Sequence, residues 1–107
     1  MNERRSSKRL EVIEAMIAKG SRDPFHFYAR GMELRSLGRR EEALEALGLV
    51  TREHASYVPS YLMAAQLAQE LGQNDEARRF ADEGIARARA AGDDHALSEL
   101  STLRGTL

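Results

Sequence analysis

The side chains in this sequence that could do chemistry are three histidines and three pairs of adjacent carboxylates. They are His26, His54, His95 and the pairs Glu41–Glu42, Asp75–Glu76 and Asp93–Asp94. Adjacent residues of a helix point to different faces, so these pairs are poorly placed to act as an acid and a base on one substrate. We find no second metal ligand at i+3 or i+4 beside any histidine, and therefore expect no metal site.

Other catalytic patterns are also missing from the sequence. The chain contains no cysteine, which excludes a thiol nucleophile, a disulfide framework and a thiolate metal site. It has no glycine-rich phosphate loop, nucleophile elbow or His-Glu-x-x-His helix. Each carboxylate pair stands where a helix should begin, and capping or the helix dipole explains it there. We therefore expect a protein that is not an enzyme, with no catalytic residues and no cofactor.

The elements that carry these residues are marked out by glycine and proline. Proline at the start and glycine after the end are typical of helices, and no segment alternates apolar and polar residues as a strand would. Asp23, the pair Asn74–Asp75 and the pair Asp93–Asp94 are the predicted helix caps. Six helices are predicted near residues 6–19, 24–37, 40–53, 59–71, 75–91 and 94–104. The short connections favour antiparallel hairpins.

Composition favours a single globular domain. The chain has 107 residues, of which 42% are hydrophobic and 31% charged. Its net charge of -1 gives no electrostatic reason to bind nucleic acid or an anionic membrane. Glu11 and Glu14 interrupt the first apolar stretch, which argues against a signal peptide, and no later stretch is long and apolar enough for a membrane span. We expect a cytoplasmic protein.

One basic cluster, formed by Arg4, Arg5, Lys8 and Arg9, leaves an alternative open. A nucleic-acid arm or a membrane-surface helix could use such a cluster. Acidic residues lie among these charges, however, and the segment has no aromatic residue to stack on a base. A solvated N-terminus is therefore the better interpretation.

A repeat with a period of about 34 residues is the most informative feature of the sequence. At this offset a Leu-Gly pair followed by a Glu-Ala pair recurs, and an aromatic position and a small position also match. The matched residues are Leu37-Gly38 with Leu71-Gly72, Glu42-Ala43 with Glu76-Ala77, Phe27 with Tyr61, and Gly31 with Ala65. In each repeat a glycine would end one helix, an acidic residue would begin the next, and an alanine would let the two helices approach closely.

These residues resemble the tetratricopeptide repeat family, in which each helix pair spans about 34 residues. The family pattern has a large aromatic, a Leu-Gly pair, a Tyr, an Ala and a Phe. The first repeat supplies Phe27, Arg30, Gly31, Leu34, Ala43 and Leu47, and the second supplies Tyr61, Ala64, Ala65, Ala68, Ala77 and Ala81. Arg30 departs from the leucine of the family, and Ala68 and Ala81 are smaller than its aromatics.

The resemblance implies an all-α protein, a right-handed superhelical array of antiparallel helix hairpins with about six helices. It is similar to small stand-alone tetratricopeptide repeat proteins of bacterial type. One domain over residues 1–107 would comprise an N-terminal half-repeat helix (1–22), a first repeat (24–57), a second repeat (58–91) and a C-terminal capping helix (93–107).

The resemblance also implies a protein-binding face, since the first helix of each repeat lines a concave groove in this family. The residues on that face are Phe25, Tyr28, Met32 and Arg35 in the first repeat and Leu62, Gln66 and Gln69 in the second. Their spacing of three or four residues forms a ridge, and aromatic, Met and Arg side chains are enriched at interfaces. Packing of this ridge on the protein's own helices is an open alternative.

We therefore predict a scaffold that binds a protein or peptide, with no nucleic-acid or membrane partner. One subgroup of the family binds acidic tails through lysines and asparagines in the groove. The asparagines of this chain, Asn2 and Asn74, lie outside those positions, so an apolar segment or helix is the expected ligand. A homodimer through the apolar ridge is the alternative function.

Overall fold

The computed structural model of the protein describes residues 5–107, and six α-helices make up that part of the chain. They are α1 (Lys8–Ala18), α2 (Pro24–Ser36), α3 (Arg40–Glu53), α4 (Pro59–Glu70), α5 (Asn74–Ala91) and α6 (Asp94–Arg104). No strand occurs within residues 5–107. The predicted all-α class is confirmed, and each predicted helix end lies within two residues of the observed one.

The helix ends follow the predicted signals with one exception. Asp23 accepts a hydrogen bond from the backbone N–H of Phe25 at 2.9 Å, and Asp93 accepts one from that of Ala96 at 3.0 Å. The predicted cap at Asn74–Asp75 is wrong, because α5 begins at Asn74 itself and has no side-chain cap. Its acidic first turn instead places negative charge at the positive end of the helix dipole.

Each of the two repeats has the same turn between its helices. Gly38 and Gly72 follow α2 and α4 with φ of 79° and 77°, a left-handed conformation that favours glycine. The next N–H in the chain then bonds back to a carbonyl in the last turn of the helix, Arg39 to Leu34 at 3.0 Å and Gln73 to Ala68 at 2.8 Å. This glycine-ended turn directs α3 and α5 back along the helices that precede them.

Successive helices pack on one another from α1 to α6, and α6 also contacts α4. The smallest dimension of the molecule is 19 Å, which corresponds to about two helix diameters. The core lies between the helices of each hairpin, where Ala43 and Ala77 have no exposed surface. Both alanines were predicted to allow close approach of the paired helices, and their burial agrees with that expectation.

Two further small residues determine how closely the helices approach. A Cβ atom on Gly31 would lie 2.6 Å from Leu47 Cγ, so α2 and α3 pack at a distance that only glycine allows without rearrangement. A Cβ atom on Gly84 would lie 2.6 Å from Tyr61 Cβ and 3.0 Å from a methyl group of Leu100. Gly84 therefore brings α5 into close contact with both α4 and α6.

Tyr61 joins the two repeats. Its side chain is buried, and its hydroxyl donates a hydrogen bond to the Ala55 carbonyl at 2.7 Å, in the loop between α3 and α4. Burial raises the pKa of this phenol above its usual value. The matched position of the first repeat, Phe27, has no hydroxyl and instead places its ring 5.7 Å from that of His54. Both aromatics thus hold the end of α3, by different contacts.

Candidate functional site

The first cavity lies between α1 and α2 and has a volume of about 370 Å³. Its walls include Ile13 of α1 and three residues of the predicted ridge, Phe25, Tyr28 and Met32. Phe25 leaves 54% of its surface exposed, although a phenylalanine is more often buried. The structure thus brings these three predicted residues together on the wall of one cavity.

The second cavity, of about 280 Å³, lies where α2, α4 and α6 meet. Tyr28, Leu62, Met63 and Leu100 form much of its apolar surface. Leu100 has no exposed surface of its own and closes the bottom against the core. A single opening of this size suits one large side chain of a ligand better than a whole ligand of drug size.

The third cavity, of about 360 Å³, runs between α4 and α6. Leu62 and Gln66 line it from α4, and Glu99 and Leu103 line it from α6. Tyr28 belongs to both the first and the second cavity, and Leu62 to both the second and the third. We call the surface formed by these three neighbouring cavities the groove.

Tyr28 is central to the groove, because it lines both the first and the second cavity. Its ring lies 5.4 Å from that of Tyr57, which precedes α4, and the two planes are tilted by 55°. Such tilted aromatic pairs are favourable contacts between elements. Burial and the neighbouring Tyr57 raise the pKa of Tyr28, and the charge of Arg35 partly opposes that rise. The Tyr28 phenol, which lines the first and second cavities, therefore stays protonated well above neutral pH.

The polar members of the predicted site hold neighbouring helices together. The Arg35 guanidinium donates hydrogen bonds to Gln66 Oε1 at 3.2 Å and to Glu70 Oε2 at 2.9 Å, which joins α2 to α4. Gln69 Nε2 donates to Thr106 Oγ1 at 3.0 Å, beyond the end of α6. These three predicted residues therefore contact other parts of the chain, whereas Phe25 and Met32 face the open cavity beside α1.

The sequence predicted a capping role for α6 and indicated none of its residues as ligand contacts. In the structure Ala96 and Glu99 line the groove, and so does Met63 of α4. A signal for α6 was present, since Tyr28, Leu62 and Ala96 follow one another at the spacing of the repeat and all line the second cavity. Applying the offset of 34 residues once more, from Leu62 to Ala96, would have indicated α6 as part of the groove.

The three histidines make contacts with different residues. His26 Nδ1 is 2.6 Å from Ser21 Oγ, and His54 lies against Phe27. The prediction that no histidine has a potential ligand at i+4 was wrong for His95, whose Nε2 is 3.3 Å from Glu99 Oε1. Nevertheless, the described residues contain no group of three or more side chains that could hold a metal ion.

The N-terminal basic cluster falls partly outside the described residues, because Arg4 does. The backbone carbonyl of Arg5 accepts a hydrogen bond from Arg39 at 2.7 Å, and Arg9 lies 3.6 Å from Glu33. Two members of the cluster thus contact the repeat array. Over residues 5–107 no helix is both long enough and apolar enough to cross a lipid bilayer.

The chain is similar to several proteins of known structure. No protein-family model matches the chain, and no curated protein sequence does. Two structures of a tetratricopeptide repeat domain protein from Salinibacter ruber, one by crystallography and one by NMR, are similar to it at 28% identity and a TM-score of 0.75. The crystal structure aligns over 78% of this chain and 93% of its own, and the NMR structure over 79% and 86%.

A third structure, a protein from Bordetella parapertussis, is similar over 94% of this chain and 88% of its own, with a TM-score of 0.79. Because the sequence identity is 22%, this structural similarity is evidence for the fold alone. The register of the sequence repeat, the repeated glycine-ended turns and the Salinibacter similarities lead to one assignment. The chain has the fold of tetratricopeptide repeat domain proteins and is similar to them in sequence and structure.

Proposed function

We propose that this protein is an interaction scaffold whose groove, along α2, α4 and α6, binds an apolar segment or helix of another protein. The fold supports the general role, because helical repeat arrays present extended surfaces to protein ligands. The observation that carries the specific proposal is that neighbouring cavities share lining residues, from which we infer one continuous groove.

The shape of the groove fits a chain segment. Each opening accommodates one or two side chains, and an extended or helical segment presents side chains at regular intervals. The residue types also fit, since aromatic and methionine side chains are enriched in interface cores. Placing one leucine of a partner in the second cavity would contribute about 1.5–3 kcal/mol before ordering costs. Three such contacts could therefore produce a specific complex.

A peptide selection tests this proposal. The immobilised protein is used to select binders from a random peptide library displayed on phage, and the selected peptides are labelled for fluorescence polarisation. The double variant Phe25→Ser/Met32→Ser should bind them at least about tenfold more weakly, since it removes two apolar contacts at the first cavity. Equal affinity of the variant and the parent would contradict the proposal.

The chain offers a matched control for this variant. Met16, on the outer face of α1, is 38% exposed and lines none of the three cavities. Met16→Ser removes the same type of exposed side chain and should leave the peptide affinity unchanged. Thermal unfolding of all variants separates a loss of binding from a loss of fold.

The exposure of Phe25 also favours a second candidate function, a homodimer formed through the same ridge. Light scattering over a concentration series distinguishes the two functions. Self-association in place of partner binding would be established by two results together. The selection yields no peptide, and the parent is a dimer that Phe25→Ser/Met32→Ser converts to a monomer.

A further inference from the structure

We infer that the segment bound in the groove is cationic as well as apolar, with a lysine or arginine within a few residues of the side chain that enters the second cavity. This inference rests on the proposed function and specifies its ligand. Two features carry the inference, the apolar lining of the second cavity and the charge of its α6 wall.

The bottom of the second cavity requires an apolar side chain. Val58 and Leu100 are buried there, and Leu62 and Met63 are partly buried around them. Tyr28 is the residue that α2 contributes to the cavity lining. A charged side chain placed against this surface would lose its hydration with little compensation. The cationic group must therefore lie beside the cavity and not in it.

The wall formed by α6 is acidic. Asp93 and Glu99 line the second cavity, and Glu99 continues into the third. No lysine or arginine is among the described residues that line either cavity. Arg35 lies nearby on α2, but it is engaged by Glu70 at 2.9 Å. His95 also lines the second cavity, and while its ring is neutral the α6 side of the groove carries net negative charge.

Neither carboxylate is neutralised by its own contacts. Asp93 Oδ1 accepts a backbone N–H at the start of α6, a contact that leaves its charge in place. Glu99 lies 3.3 Å from His95, whose side chain is 86% exposed, so solvent screens this pair. Half of the Glu99 side chain (49%) is accessible to a ligand in the groove.

The first cavity differs in charge. Its two charged residues, Arg9 and Glu33, lie 3.6 Å apart and compensate one another. The groove thus has a neutral end beside α1 and an acidic end beside α6. A bound segment is expected to place its basic residue toward α6, which gives the complex a preferred direction.

The test uses the selected peptides and a charge reversal at the groove wall. Glu99→Lys should weaken their binding about tenfold, because two unit charges change at a partly exposed site. Glu99→Gln should weaken it about threefold by the same reasoning. The matched control is Glu45→Lys, an exposed position on α3 that lines none of the three cavities. It should change the affinity less than about twofold.

The composition of the peptides and the effect of salt provide two further readouts. The selected sequences should combine a large apolar residue with a nearby Lys or Arg, and their affinity should fall as salt is added. Replacing that basic residue by glutamate should weaken binding to the parent but restore it to Glu99→Lys. Such a reciprocal change requires the two charges to be close in the complex.

Each contrary result has a distinct meaning. Peptides that bind equally well to the parent and Glu99→Lys, or that are acidic, would overturn this inference while leaving groove binding intact. A selection without binders would overturn the proposed function and this inference together. A dimer of the parent that Glu99→Lys dissociates would show that a second copy of the chain occupies the groove, which also overturns the inference.

Discussion

The packing of α5 makes opposite predictions for two glycine-to-alanine substitutions. Gly84 lies where a Cβ atom would be 2.6 Å from Tyr61 Cβ. That carbon is attached to the backbone of α4, and the tyrosine hydroxyl is held by the Ala55 carbonyl at 2.7 Å. Tyr61 Cβ cannot move without the backbone of α4, so Gly84→Ala must push α4 and α5 apart. Overpacking of this kind costs about 1–3 kcal/mol.

Helix propensity acts in the other direction. Alanine is more favourable than glycine inside a helix by about 0.5–1 kcal/mol. At Gly84 this gain offsets part of the steric cost, and the net expectation is a loss of about 1–2 kcal/mol in the free energy of unfolding. At Gly48 of α3 the nearest side-chain atom to a Cβ would be 3.5 Å away, an ordinary contact. Gly48→Ala should therefore stabilise the protein by about 0.5–1 kcal/mol.

Urea denaturation followed by circular dichroism measures both substitutions on one scale. Gly84→Ala should lower the midpoint and Gly48→Ala should raise it, with m-values unchanged. Gly31→Ala is an intermediate case, because the atoms it would meet are Leu47 Cγ and a terminal methyl of a flexible side chain. If Gly84→Ala were as stabilising as Gly48→Ala, the close contact of α5 with α4 and α6 would be refuted.

Three further predictions follow from burial in the repeats. Ala43→Leu and Ala77→Leu should each lower the free energy of unfolding by about 1–3 kcal/mol through overpacking, and unchanged midpoints would show that the register of the helix pairs is wrong. Deleting residues 94–107 removes the fully buried Leu100, so the melting temperature should fall sharply and aggregation should increase; a truncated protein that melts like the parent would contradict the capping role of α6. Burial raises the pKa of Tyr61 and Tyr28, so the unfolded chain loses its phenolic protons first, and stability should fall as pH rises through about 10; constant stability across that range would contradict the burial of both phenols.

The helix pattern was readable from the sequence because its signals are local. Proline at the first residue of α2 and α4, and glycine after their ends, act within a few residues of each helix boundary. The offset of the repeat then aligned Ala43 with Ala77, and both are fully buried. Where local signals were mixed the prediction failed, as at the start of α5, where Asn74 lies inside the helix.

The groove was readable only in part because it depends on packing between distant segments. The spacing of Phe25, Tyr28 and Met32 is visible on one helix, and these residues do line one cavity. The engagement of Arg35 by Gln66 and Glu70 depends on how α2 and α4 pack, and an amphipathic pattern on a single helix does not contain that information. The position of Gly84 illustrates the same limit. The repeat aligns it with Val50, but its role depends on Tyr61 and Leu100, which reach it from two other helices.

Direct mapping of a bound peptide is the sharpest test of the central claim, that the groove binds a protein segment. A selected peptide is titrated into ¹⁵N-labelled protein, and amide chemical shifts are followed by NMR. Binding in the groove predicts the largest changes at Tyr28, Leu62 and Ala96, which line the second cavity together. Changes confined to the outer face of α1, around Val12 and Met16, would contradict it.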